Sequence, residues 1–141
     1  MNPVWKDESV AVLDACSLIA YFNDEPGAEI VAGILQEIPS VEIPAINLLE
    51  IAYDSVRRTG QNSAALDILE AVHQLPISIR WELDGQILES AARFKAHFRI
   101  SIADAVALAV AHSRNAPLVT SDHHEFDALE TAGQSRFIWI R

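Results

Sequence analysis

Apolar positions along this chain follow two alternating rhythms: short continuous runs, and longer stretches with apolar residues three or four apart. Ser9-Val10-Ala11-Val12-Leu13 is a continuous run ending at Asp14 and reads as a buried strand. Cys16 to Phe22 stays apolar and opens a helix. Asp24-Glu25-Pro26-Gly27 is a turn signal, with Pro26 at or near the start of a second helix that runs to about Ile38. That helix carries Ile30, Val31, Ile34 and Leu35 at helical spacing. Val41-Glu42-Ile43 is a short strand, and Ala45 to Arg58 is a helix closed by Gly60. Asn62 or Ser63 caps a helix ending near His73, and Pro76 to Trp81 alternates like a strand. Asp84 to His97 has one apolar side, and Ser101 caps a helix over Ile102 to His112. Pro117 to Thr120 is a buried strand leading to Ser121-Asp122. A short helix over Glu125 to Thr131, stopped by Gly133, precedes a last strand from Arg136 to Ile140.

Strands alternating with helices predict an α/β fold: a three-layer domain with a mostly parallel central sheet flanked by helices. The 141 residues suit one domain, with residues 1–8 as a peripheral arm. Half of the residues are hydrophobic, enough to bury a core. No apolar run reaches the ~18–20 residues of a membrane span, and the N-terminus lacks the basic-then-apolar pattern of a secretory signal. Cys16 is the only cysteine, so no intrachain disulfide forms. These features fit a cytoplasmic protein with no membrane contact.

The net charge of −10 argues against a protein that grips nucleic acid by a basic face. The basic residues are scattered, and Arg57-Arg58 is the only adjacent pair. The acidity is concentrated at a cation site, or it serves a basic protein partner. Four acids stand out. In a parallel sheet, ligands bind beyond the carboxyl ends of the strands, and Asp14 and Asp122 both sit there. Taken alone, each reads more readily as a helix cap or a turn residue. Glu50 and Asp104 interrupt stretches that are otherwise apolar, Ile46 to Ala52 and Ile102 to Ala109. A lone buried carboxylate costs several kcal/mol, so each should line a wet pocket, meet a distant Arg or hold a metal. Asp104 also fits a capping box with Ser101. Oxygen-only ligands suit Mg²⁺ or Mn²⁺ rather than zinc. His123 and His124 read as exposed loop residues, and Cys16 as a structural thiol.

At these residues the sequence resembles the PIN-domain ribonucleases. Val12-Leu13-Asp14-Ala15-Cys16-Ser17-Leu18-Ile19-Ala20 is similar to their opening motif. Glu25-Pro26-Gly27-Ala28-Glu29 is similar to the segment that follows it in the bacterial VapC-type toxins. Leu48-Leu49-Glu50-Ile51, Ser101 to Ala109, and Leu118 to Asp122 with Glu125-Phe126 resemble the second, third and fourth motifs. The resemblance implies a PIN fold in which Asp14, Glu50, Asp104 and Asp122 hold one or two Mg²⁺ or Mn²⁺ ions. It further implies RNA as substrate, a cognate antitoxin as partner and a homodimer. Where the family often has Ser, Thr or Asn two residues after the first Asp, this chain has Cys16, with Ser17 one step later. Thr120 and Ser121 match a hydroxyl position before the fourth acid; they bond a ligating carboxylate or a water, or simply end the strand.

The expected function is therefore a metal-dependent endoribonuclease, the toxin of a toxin–antitoxin pair, hydrolysing RNA phosphodiesters with a metal-activated water. The alternative is an inactive PIN-like domain that binds protein or RNA. A phosphohydrolase of the haloacid-dehalogenase type is disfavoured, because Asp14 is followed by Ala15 and Cys16 rather than by a second Asp.

Overall fold

A computed structural model describes residues 2–141. Five strands, β1 (Val10–Leu13), β2 (Ser40–Pro44), β3 (Ser78–Arg80), β4 (Leu118–Thr120) and β5 (Phe137–Trp139), form one parallel sheet in the order β3-β2-β1-β4-β5. Between them run seven helices: α1 (Ala15–Phe22), α2 (Ala28–Glu37), α3 (Ala45–Thr59), α4 (Ala64–His73), α5 (Gly85–His97), α6 (Ile102–Ser113) and α7 (His123–Thr131). The architecture is the three-layer α/β arrangement that the alternation predicts.

Side-chain alternation in the strands creates two cores. Ala11, Leu13, Val41, Ile43, Val119 and Ile138 face a layer built on α1 to α4. Val12 and Leu118, with half-buried Phe137 and Trp139, face the layer built on α5, α6 and α7. β1 and β4 are buried on both faces, which is why both read as unbroken apolar runs.

Boundaries shift where local chemistry intervenes. α2 starts at Ala28 rather than near Pro26, because Gly27 takes a left-handed φ of 99°. A Cβ there would stand 2.6 Å from the Ile140 carbonyl oxygen, so the position needs glycine on two counts. β3 is shorter than the run from Pro76 to Trp81, and Trp81 is 61% exposed. The arm before Ser9 is on the outside of the fold: Trp5 lies against Gly33 and donates to Glu37 at 2.8 Å, and Glu8 pairs with Arg136 at 2.9 Å. Met1 lies outside the described residues.

Candidate metal centre

The sheet order reverses between β1 and β4. The helix after β1 packs on one face, with Leu18 in the first core. The helix after β4 packs on the other, with Phe126 and Leu129 in the second. Their diverging connections leave a crevice at the carboxyl ends of the two strands, the place where open α/β sheets bind ligands. Asp14 and Asp122 enter it from the two sides.

Asp14 is 1% exposed and caps α1, its Oδ1 accepting the Ser17 N–H at 2.9 Å. The Cys16 thiol donates to the same carboxylate, with Sγ 3.2 Å and 3.1 Å from its two oxygens. That sulfur in turn accepts from the Ser121 hydroxyl at 3.3 Å and lies 3.5 Å from the Thr120 hydroxyl. Thr120 Oγ1 accepts the Asp122 N–H at 3.0 Å, and the Ser17 hydroxyl donates to the Asp14 carbonyl at 3.0 Å. The ends of β1 and β4 are thus laced together, with Cys16 doing what a hydroxyl would do at that position.

Asp104 and Asp122 come together. Ser101 caps α6 by accepting the Asp104 N–H at 3.1 Å, and Asp122 caps α7 by accepting the Glu125 N–H at 3.1 Å. Capping and site placement are compatible: the Asp122 cap uses Oδ1 alone. Carboxylate oxygens of Asp104, Asp122 and Glu125, all half-buried, lie within 4.8 Å of one another. Glu125 stands outside the four acids that the sequence puts forward, although Asp122-His123-His124-Glu125 carries the capping-box spacing that puts its carboxylate beside the cap. Burial disfavours the charge of Asp14 and Asp104 here, and for Asp104 neighbouring carboxylates add to it. Asp104 is pushed up to about 7, first by burial and then by the charges of Asp14, Asp122 and Glu125. Asp14 is also raised, by burial, against opposing hydrogen bonds from Thr120, Ser17 and Cys16. Burial and Asp14 push the Cys16 thiol up to about 12, so it stays a neutral donor.

Glu50 lies on the exposed side of α3. Its apolar neighbours divide between two sides of the helix: Leu48 and Ile51 are core, whereas Leu49 and Tyr53 are each 63% exposed and Glu50 is exposed with them. It stands on the rim of the crevice, outside the set of three converging carboxylates. Its pKa is nonetheless raised by desolvation and by the charges of Asp14 and Asp122. Among the described residues it makes no ion pair. Asn47, one turn earlier and fully buried, ties α3 to α6 by donating to the Ala103 carbonyl at 3.4 Å; its Oδ1 has no partner. α6 is likewise not apolar all round in its packing, since Ile102 is 58% exposed.

His123 and His124 are not loop residues. They form the first turn of α7. His123 stacks on Trp139 at 3.8 Å between centroids and bonds Asp127 at 2.8 Å and the Arg141 main-chain oxygen at 2.9 Å.

Three carboxylates converging over this span match the reach of ligands around one hard cation, whose oxygen contacts are about 2.0–2.6 Å long. The donor set is all oxygen. The residues therefore fit Mg²⁺ or Mn²⁺.

Comparison with known proteins identifies the fold. The family profile of the PIN domain matches residues 11–131. The chain belongs to the PIN domain family. Among solved structures, this PIN domain is similar to a chain of VapBC2 from Rickettsia felis bound to a DNA fragment from its promoter, with a TM-score of 0.71 and 15% identity over 92% of this chain and 97% of that one. It is similar to a chain of DNA-bound VapBC from Salmonella typhimurium, with a TM-score of 0.69 and 18% identity over 93% and 98%. It also resembles the Mycobacterium tuberculosis toxin VapC20, described as cleaving the sarcin–ricin loop, with a TM-score of 0.61 and 16% identity over 87% and 94%. No curated protein sequence matches this PIN domain significantly.

Proposed function

We propose that residues 1–141 form a single PIN-like domain that hydrolyses RNA phosphodiesters with Mg²⁺ or Mn²⁺, as the toxin of a toxin–antitoxin pair. The observation that carries this reading is the convergence of Asp104, Asp122 and Glu125 at the switch point of the sheet, where the buried Asp14 follows β1. A bound divalent ion would supply Lewis acidity toward the phosphodiester and acidify the attacking water. The protein's share is orientation. Asp14 cannot swing, because Ser17 and Cys16 hold its oxygens. Asp104, whose pKa is raised, would hold such an ion as the carboxylate and release its proton to do so. Without the cation the crevice repels phosphate, and with it the crevice attracts phosphate. Attack of water in line, with the 3′ oxygen leaving, yields a 5′-phosphate product.

The inactive-domain alternative drew on Cys16 in the first motif. Cys16 donates to Asp14 as a hydroxyl would, which favours the active reading.

The antitoxin partner rests on the names of the similar structures, several of which are toxin–antitoxin complexes. An apolar groove of about 480 Å³ next to the crevice, walled by Pro44, Trp81, Leu83, Val106 and Val110, suits an amphipathic segment of that partner. The reading places the protein in the cytoplasm, where no membrane span is needed; no helix among the described residues is long and apolar enough to cross one.

Cleavage of single-stranded RNA tests the proposal. It is expected with Mg²⁺ or Mn²⁺, stopped by EDTA, and absent in a folded Asp104→Asn variant. Cleavage without metal, or full activity in that variant, refutes the mechanism.

A further inference from the structure

RNA binding by this chain faces a physical problem. A net charge of −10 and few clustered cations cannot supply the affinity that basic proteins draw from phosphates. The remaining source is stacking of unpaired bases on aromatic side chains. Such a side chain stands beside the metal centre. Tyr53 is 63% exposed on α3 and walls an open cleft of about 500 Å³ whose other lining includes Ile46, Leu49, Glu50 and Ser101. Glu50 stands on the rim of the crevice of acids, near enough for Asp14 and Asp122 to act on its charge, and Ser101 caps the turn that carries Asp104. The cleft is therefore continuous with the centre.

A cation completes the track. The Arg57 guanidinium lies over the Tyr53 ring, 5.8 Å from its centroid. Arg57 bonds Asp54 through one nitrogen at 3.0 Å, which leaves further donors of its five-donor fork for a phosphate. Glu50, Tyr53 and Arg57 are spaced three and four residues apart, so they share one face of the helix. At 1.5 Å per residue they span about 10 Å, roughly one to two nucleotides. Acid, aromatic and cation thus succeed one another outward from the centre, in the order a strand leaving the cleavage site would need them.

The geometry points to Tyr53 as a base-stacking residue: an unpaired nucleobase of the RNA lies in the cleft beside Glu50 on the ring face that Arg57 does not cover, and Arg57 meets the next phosphate. This rests on the proposed function and specifies its substrate as unpaired RNA. It also gives α3's exposed apolar face a role that core packing does not.

The test uses a short single-stranded RNA carrying 2-aminopurine, with Ca²⁺ replacing Mg²⁺ to keep the RNA intact. Wild type should quench the fluorescence of the stacked base. Tyr53→Ala should lose the quench and bind about tenfold more weakly, the usual scale for one base–aromatic stack. Tyr53→Phe should retain both. Arg57→Gln should flatten the salt dependence by about one phosphate contact. Mn²⁺ affinity should be the same in all four proteins. Equal binding by wild type and Tyr53→Ala overturns the subsite, and so does Tyr53→Phe behaving like Tyr53→Ala. Loss of partner-protein binding in Tyr53→Ala, with RNA binding intact, also overturns it and assigns the face to a protein. A wild-type chain that binds no Mn²⁺ sinks the metal centre instead, so the two failures are separable.

Discussion

Replacing Asp104 with Asn should stabilise the metal-free protein while removing its metal binding. The carboxyl is half-buried and pushed from an ordinary 3.8 to about 7 by burial and by the charges of Asp14, Asp122 and Glu125. A raised acid pKa is a cost of folding. Between about pH 4 and 7 the folded chain keeps a proton that the unfolded chain has released, so stability falls as pH rises across that window and stays low above it. Taken in full, the rise corresponds to about 4 kcal/mol above pH 7. The carboxylate is partly exposed, and solvent screening reduces the expected gain to about 1–2 kcal/mol. Asn keeps the shape and the backbone cap, in which Ser101 accepts the Asp104 N–H. Urea unfolding in EDTA measures the effect. At pH 8 Asp104→Asn should unfold at higher urea than wild type. At pH 5 the difference should shrink, because wild-type Asp104 is then protonated in the folded state. Saturating Mn²⁺ should reverse the order at pH 8, since only wild type gains from the ion. Equal or lower stability of the variant at pH 8 in EDTA would refute the account of an Asp104 carboxylate disfavoured by burial and by its acidic neighbours.

Further outcomes follow from single contacts. Glu125→Gln should weaken Mn²⁺ binding at least about tenfold and by more than Glu50→Gln, because Glu125 converges with Asp104 and Asp122 while Glu50 sits on the rim; calorimetric titration of both variants checks this. Gly27→Ala should cost about 2–4 kcal/mol in urea unfolding, from its left-handed φ and the approach of Ile140. His123 has its pKa raised by Asp127 and by the Arg141 main-chain oxygen. Its contribution should be complete below about pH 6 and lost as pH rises through that raised value, so melting of His123→Gln should differ from wild type more at pH 6 than at pH 9. Cys16, pushed up to about 12, should resist iodoacetamide at pH 8 in the native protein and react readily in urea.

Most of the layer structure was legible because β1 and β4 are buried on both faces and their helices keep strong apolar stripes. The positions of Asp14 and Asp122 followed from the same logic, since a residue ending a parallel strand has nowhere else to point. For Glu50 the sequence leaves a wet pocket, a distant Arg or a metal open, and the structure sets it on an open cleft. An apolar run around an acid looks the same whether it faces a core or an open cleft, and only the packing of α3 against α6 separates the two. Glu125 was legible in principle: three residues after a capping Asp, it shares that helix end. The surroundings of His123 were not legible, because its partners Trp139 and Arg141 are brought to it by β5 from far along the chain. Cys16 looked like a departure from the family's hydroxyl until its thiol could be seen donating to Asp14.

The central claim is that these acids form a divalent-metal centre, and titration of the purified chain with Mn²⁺ at pH 7.5 tests it most directly. Saturable binding in the millimolar range or tighter is expected, with protons released as the ion enters and with binding lost in folded Asp14→Asn and Asp104→Asn. No binding in that range, or equal binding by wild type and both variants, would contradict it.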